Sequence, residues 1–219
     1  MGTVFTVDQS HPSGPALQSV GAVLARSGVA VFPTDTVYGI AQAVEANPEG
    51  ARALFAIKRR DPSKAIPWLV ADEAALDEYG LEVPSYARAL AREFWPGGLT
   101  LVVSASPAVP APFRGPGETV ALRMPDSPLV CALAREAGSP LATTSANTSG
   151  LPAPTSFAEV ERRIIDESDA AVDGGSTRIG LSSTVVICTG PHPTIARHGA
   201  VSDEDVMRVA TEGGAFCCG

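Results

Sequence analysis

The 219-residue chain is short of aromatic residues (5%), of histidine (three) and of cysteine (four), and it carries fewer bases than acids, 16 Lys and Arg against 24 Asp and Glu. Each shortage excludes something. Cys131, Cys188, Cys217 and Cys218 lack the C-x-x-C spacing of zinc or thioredoxin-like sites, and the adjacent pair cannot easily bridge to itself, so all four read as reduced thiols. His11, His192 and His198 are scattered, which argues against a zinc site or a His-based triad. A formal net charge of -8 opposes any non-specific grip on a nucleic-acid backbone, which needs a basic face. No run approaches the roughly 18 apolar residues that span a bilayer. The opening MGTVFTVDQSHPSG has no basic region followed by an apolar stretch, so the expectation is a cytoplasmic protein with no membrane partner. Both standard phosphate loops, G-x-x-x-x-G-K-[ST] and G-x-G-x-x-G, are missing, so a nucleotide would be held by dispersed side chains.

What is present is a core-forming composition, 45% hydrophobic, punctuated by 21 glycines and 19 prolines. This predicts many short elements joined by structured loops. Leu17, Val20 and Leu24 follow helical spacing after Pro15 and stop at Gly28, predicting a helix over 15–27. Val29 to Phe32 reads as a buried strand closed by Pro33. Asn47-Pro48 reads as a cap and first-turn proline opening a helix that turns Leu54 and Phe55 inward and ends on Lys58, Arg59 and Arg60. Further strands are predicted at 67–70, 99–104, 119–123, 141–144, 183–188 and 194–198, and helices at 85–94 and 127–137. Ser156-Phe157-Ala158-Glu159 has a capping-box pattern that would open a helix reaching about residue 166, and Ser202 would cap a last helix. Asp173-Gly174-Gly175 reads as a turn. Interleaved helices and strands with no repeat or linker predict a layered α/β fold, one domain over 1–219.

Hydroxyl-rich segments fall at predicted strand ends: 33–39, 143–150 and 180–185. Strand ends are where open α/β sheets bind ligands, and hydroxyls and backbone N–H groups there can hold phosphate or carboxylate oxygens. Such clusters also form ordinary turns. The bases are more informative. Lys58, Arg60 and Lys64 gather together, while Arg123 and Arg197 stand alone at the ends of apolar strands. An Arg there cannot shed its charge and needs a partner, either an anionic ligand or one of the 24 carboxylates. Asp35 lies beside the first segment without a clear second carboxylate for acid–base work.

Seven blocks occur in order: PTDTVYGI (33–40), KRRDPSK (58–64), FWPGGLT (94–100), TVALRMP (119–125), TTSANTSG (143–150), GLSSTV (180–185) and IARHGAV (195–201). Over about residues 15–201 they resemble the YrdC/Sua5 family. The resemblance implies a YrdC-like α/β fold, a twisted sheet of mixed parallel and antiparallel strands flanked by helices around an anion-binding cavity, in its short form without the C-terminal Sua5 domain. It implies synthesis of L-threonylcarbamoyladenylate and pyrophosphate from L-threonine, bicarbonate or CO2, and ATP, for the t6A modification at position 37 of tRNA. Mg2+ would arrive with ATP, proteins that transfer the threonylcarbamoyl group would take the product, and tRNA would be an indirect partner.

By matching position, Lys58 and Arg60 correspond to the family's catalytic K-x-R pair beside the carbamate and phosphates. Thr36, Arg123, Thr143 and Ser183 correspond to threonine-binding positions. Lys64, Thr119, Ser145, Asn147, Ala153 and Arg197 join Lys58 and Arg60 on the ATP side. Tyr38 is equally readable as core packing. The sequence departs from the family pattern at Arg59, which stands between the two bases and leaves the choice of Arg60 to the i, i+2 spacing. It also departs at Gly98, Ser182 and His198. The alternatives are a non-catalytic RNA-binding or ribosome-associated paralogue, and a carbamoyl-adenylate site like that of hydrogenase-maturation relatives, whose additional modules do not fit in 219 residues.

Overall fold

The computed structural model describes residues 2–59, 61 and 65–215. Arg60, Lys64, Cys217 and Cys218 lie outside the described residues. The elements run β1 (Thr3–Thr6), α1 (Gly14–Leu24), β2 (Ala30–Pro33), β3 (Tyr38–Ala43), α2 (Arg52–Lys58), β4 (Trp68–Leu69), α3 (Ala75–Tyr79), β5 (Gly80–Leu81), α4 (Ser85–Phe94), β6 (Leu99–Ala105), β7 (Thr119–Arg123), α5 (Pro128–Ala137), β8 (Leu141–Ser145), α6 (Arg162–Glu167), β9 (Ala170–Asp173), β10 (Thr184–Ile187), β11 (Thr194–Arg197) and α7 (Asp203–Ala215). None of these helices is long and apolar enough to cross a membrane.

The strands form one sheet in the order β1-β9-β2-β3-β8-β4-β7-β6-β10-β11, with β5 beside β6. The sheet combines parallel pairs (β4 with β7, β6 with β10) and antiparallel ones (β3 with β8, β6 with β7), so it is mixed, as expected.

Side chains of a strand alternate between the two faces. On one face Ile40, Trp68, Leu101, Val103, Leu122 and Val186 form a continuous apolar layer under Leu54, Leu76, Leu90, Ile164 and Val206 from α2, α3, α4, α6 and α7. On the other face α1 and α5 cover only part of the sheet, packing Leu17, Val20, Leu24, Leu129 and Leu133 onto Ala30, Phe32, Ala41 and Leu141. Past that cover the same face carries Thr143 of β8, Ala121 and Arg123 of β7, Thr100 and Val102 of β6, and Val185 of β10, and these line a cavity. A half-covered sheet with small and polar side chains on its open half is what makes room for a ligand.

Local signals explain the well-anticipated elements. Ser127 caps α5 by accepting from the Val130 N–H at 3.4 Å, Pro128 fills its first turn, and Gly138 ends it in the left-handed region at φ 64°.

Two expected helix starts are corrected. Asn47 is not a cap: its side chain donates to Ala43 O at 2.7 Å and accepts from Gln42, fastening the turn after β3, so α2 begins only at Arg52. The Glu159 carboxylate accepts from the Thr155 N–H and hydroxyl, one residue earlier than a box centred on Ser156 requires. That arrangement closes a single 3-10 turn over Phe157–Glu159, and α6 starts at Arg162. Asp173-Gly174-Gly175, expected as a turn, is instead the end of β9 running into irregular backbone, where the Asp173 carboxylate accepts from the Gly175 N–H and Gly175 lies at φ 80°.

Candidate active site

The cavity has a volume of about 410 Å3, within the range of small-molecule sites. Lys58, Arg123 and Arg197 line it, and none of its described lining residues is a carboxylate. A chain with net charge -8 has therefore gathered cations around one hydroxyl-rich hollow.

Arg123 ends β7 and is 5% exposed. Its Nε donates to Gly97 O at 2.9 Å, one Nη donates to the Thr36 hydroxyl at 2.9 Å, and the other donates to the buried Asp35 carboxylate. Burial pulls this guanidinium below its ordinary range, and Asp35 opposes the shift. The structural ion pair weighed from the sequence is present. Of the five N–H bonds of a guanidinium, three are engaged. The second Asp35 oxygen accepts from the Asp126 N–H at 3.2 Å. Thr36 also hydrogen-bonds to Thr34 at 2.9 Å, so the 34–36 turn is closed on itself while Arg123 ties it to β7 through Thr36 and Asp35.

At the far wall, Arg197 donates to Ser183 O at 3.0 Å and to the Ser183 hydroxyl at 2.9 Å, and that hydroxyl also pairs with Thr100 at 2.8 Å. Ser183 and Arg197, expected at different substrates, are thus in direct contact. Gly199 lets the chain pass this point, since a Cβ there would lie 2.3 Å from Ser182 O.

Lys58 closes α2 and is 3% exposed. Its ammonium donates to Ser145 O at 2.5 Å, to Asn147 O at 2.7 Å and to the Asn147 side-chain oxygen at 3.2 Å. Lys58 O in turn accepts from the Ser149 N–H at 3.0 Å. The lysine therefore braces the 145–150 loop while lining the cavity.

The structure brings together Thr36, Lys58, Arg123, Thr143, Ser145, Asn147, Ser183 and Arg197. It does not bring Thr119 or Ala153 into the lining: the Thr119 hydroxyl, on the same face as Arg123 but at the other end of β7, donates to Pro116 O at 3.0 Å. Arg59 is exposed at the end of α2 and lies outside the lining. Tyr38 packs in the core while also bordering the cavity: it is fully buried, its hydroxyl donates to Gly175 O at 2.7 Å, and burial pushes its pKa up to about 12. Sequence reasoning missed Thr34, Thr100, Ser149 and the pairing of Asp35. Thr100 had a signal in the alternation of LTLVVSA, which puts Thr100, Val102 and Ser104 on one face.

No cluster of three or more His, Cys, Asp or Glu able to hold a metal occurs among the described residues, and Asp35 is committed to Arg123. The described residues do not fit a protein-held Mg2+.

Fold and cavity together define an α/β protein with a cationic, hydroxyl-lined pocket on the open half of a mixed sheet. The family model Sua5/YciO/YrdC, described as "Telomere recombination", matches residues 22–199, and the chain belongs to this family. Threonylcarbamoyl-AMP synthase of Bacillus subtilis is 36% identical over 94% of this chain and 60% of its own length. Threonylcarbamoyl-AMP synthase of Chromohalobacter salexigens is 32% identical over 75% of this chain and 88% of its own. The crystal structure of Pyrococcus abyssi Sua5 complexed with L-threonine superposes with a TM-score of 0.86 at 32% identity, covering 94% of this chain and 60% of that one. Escherichia coli YciO shares the fold, with a TM-score of 0.81 at 21% identity over 94% of this chain and all of its own. The chain thus spans about 60% of the length of the B. subtilis and P. abyssi relatives.

Proposed function

We propose that this cavity is the site of a threonylcarbamoyl-AMP synthase, a nucleotidyltransferase that joins L-threonine, bicarbonate or CO2, and ATP in the cytoplasm. The observation that carries the reading is a pocket lined by three cations and many hydroxyls with no carboxylate among its described lining residues. Threonine, bicarbonate and ATP all bear anionic oxygens, and the pocket matches them without a covalent nucleophile.

The threonine amine would combine with bicarbonate, releasing water, to form a carbamate. A carbamate oxygen would then attack the α-phosphorus in line as the bond to pyrophosphate breaks. Positioning and charge neutralisation would supply most of the rate. Thr36, Thr143 and Ser183 would hold threonine, with the two unengaged N–H bonds of Arg123 turned to its carboxylate. Ser145, Asn147 and Arg197 would hold the nucleotide, and Lys58 would stand between the two. Arg60 and Lys64 join them on the strength of their motif. Mg2+ would belong to the nucleotide substrate. The adenylate would pass to the proteins that modify tRNA, so tRNA would meet this chain only indirectly.

Support comes from the synthases of B. subtilis and C. salexigens and from the threonine complex of the P. abyssi relative. The test is pyrophosphate release from ATP by the purified chain. Release that needs both threonine and bicarbonate is expected; no release, or release independent of either, would overturn the reading.

A further inference from the structure

We propose that Glu161 and Arg163, neither of which lines the cavity, are positioning residues that lock the 145–150 loop from outside and thereby set the nucleotide half of the site. The inference rests on the synthase reading above. Glu161, just before α6, accepts from the Thr148 N–H at 2.5 Å on one oxygen and from the Thr148 hydroxyl at 2.8 Å on the other. The same hydroxyl accepts from an Arg163 Nη at 2.7 Å, so it donates once and accepts once. The other Arg163 Nη donates to Ile57 O at 2.8 Å, the residue before Lys58, and to the Glu167 carboxylate at 2.9 Å.

One clamp on α6 thus grips both partners of the Lys58 brace. From outside it holds Thr148 and the end of α2; from inside Lys58 holds Ser145 and Asn147. Between them four successive backbone N–H groups of the loop are all engaged, three of them by residues outside it. The Ala146 N–H donates to Tyr38 O, that of Asn147 to Ser145 O, that of Thr148 to Glu161, and that of Ser149 to Lys58 O. The Asn147 amide donates inward to Thr148 O and Leu151 O. Such a loop presents Ser145 and Ser149 to the cavity at fixed positions, which is what in-line transfer requires, because small misplacements of positioning groups are costly. The sequence hides this role: Glu161 and Arg163 read as ordinary charges of a surface helix.

The experiment compares Glu161→Ala, Glu161→Gln and Thr148→Val with the unaltered chain. Pyrophosphate release is followed as a function of ATP and of threonine, and amide hydrogen exchange over 145–150 is measured without substrate. Glu161→Ala is expected to raise the KM for ATP about ten-fold or more. The KM for threonine should stay within about two-fold, and the Thr148 and Ser149 amides should lose protection. Glu161→Gln, whose amide oxygen can still accept from the Thr148 N–H while its NH2 donates to the hydroxyl oxygen, should restore the KM for ATP to within about three-fold. Thr148→Val, nearly isosteric, covers the case in which Glu161→Ala fails to fold, and should shift the KM for ATP in the same direction by about three-fold or more. Unchanged KM values in folded variants, equal increases for both substrates, or wild-type exchange protection in Glu161→Ala or Thr148→Val would overturn the proposal. If the unaltered chain lacks threonine-dependent release, the synthase reading falls, whereas the exchange measurement still judges the clamp.

Discussion

Asp35→Ala isolates the ion pair beneath the cavity. The two side chains are 0% and 6% exposed, so both charges are largely desolvated. Removing the carboxylate leaves the Arg123 guanidinium with only Gly97 O and the Thr36 hydroxyl, and it orphans the Asp126 N–H. Deleting one partner of a buried pair costs about 3–5 kcal/mol, because the surviving charge stays desolvated. At about 2–4 °C per kcal/mol for a chain of this size, the melting temperature should fall by about 6–20 °C. Urea denaturation checks the free energy directly, with an unchanged m-value confirming that the native and denatured states are otherwise alike. Asp35→Ala combined with Arg123→Met should be less destabilised than Asp35→Ala alone, since it removes the stranded cation. A cost below about 1 kcal/mol, or strict additivity in the double variant, would mean that Asp35 does not neutralise Arg123.

Arg123→Ala should raise the KM for threonine more than that for ATP in the pyrophosphate assay; equal losses would contradict its place at threonine. Gly199→Ala puts a Cβ 2.3 Å from Ser182 O and about 2.5 Å from Ser183 backbone atoms, so it should cost about 1–3 kcal/mol and lower activity by moving Ser183; wild-type melting and rate would count against that wall. The Thr148 N–H and hydroxyl, with Arg163 and Lys58 nearby, hold the Glu161 carboxyl below its ordinary range. The stability it contributes is therefore fully present above about pH 4.3 and is lost as pH falls through the lowered value. Acid unfolding followed by near-ultraviolet circular dichroism should show a smaller acid-induced loss in Glu161→Gln, and an identical profile would contradict the assignment.

Much of the fold was legible where local chemistry and tertiary packing agree. The helix at 85–94 and the strand at 119–123 fall as expected, and α5 announces itself through Ser127, Pro128 and Gly138. Elements defined by pairing rather than composition were not. The segment 38–43, for which the sequence predicts no element, is buried throughout and antiparallel to both β2 and β8. Short β1 and β9 exist through parallel pairing, β1 with β9 and β9 with β2, which no local pattern announces. At the site, residue types were legible and partnerships were not. Asp35 and Arg123 meet across 88 positions, and Lys58 spends its ammonium on carbonyls 87 and 89 positions away. Only the register of β3, β8 and β7 brings such groups together.

The most direct test of the central claim is a crystal structure of this chain with ATP and L-threonine bound. Both are expected in the one cavity, with threonine against Thr36, Thr143 and Arg123 and the phosphates toward Ser145, Asn147 and Arg197. A nucleotide seated elsewhere on the molecule, or threonine away from Arg123, would contradict it.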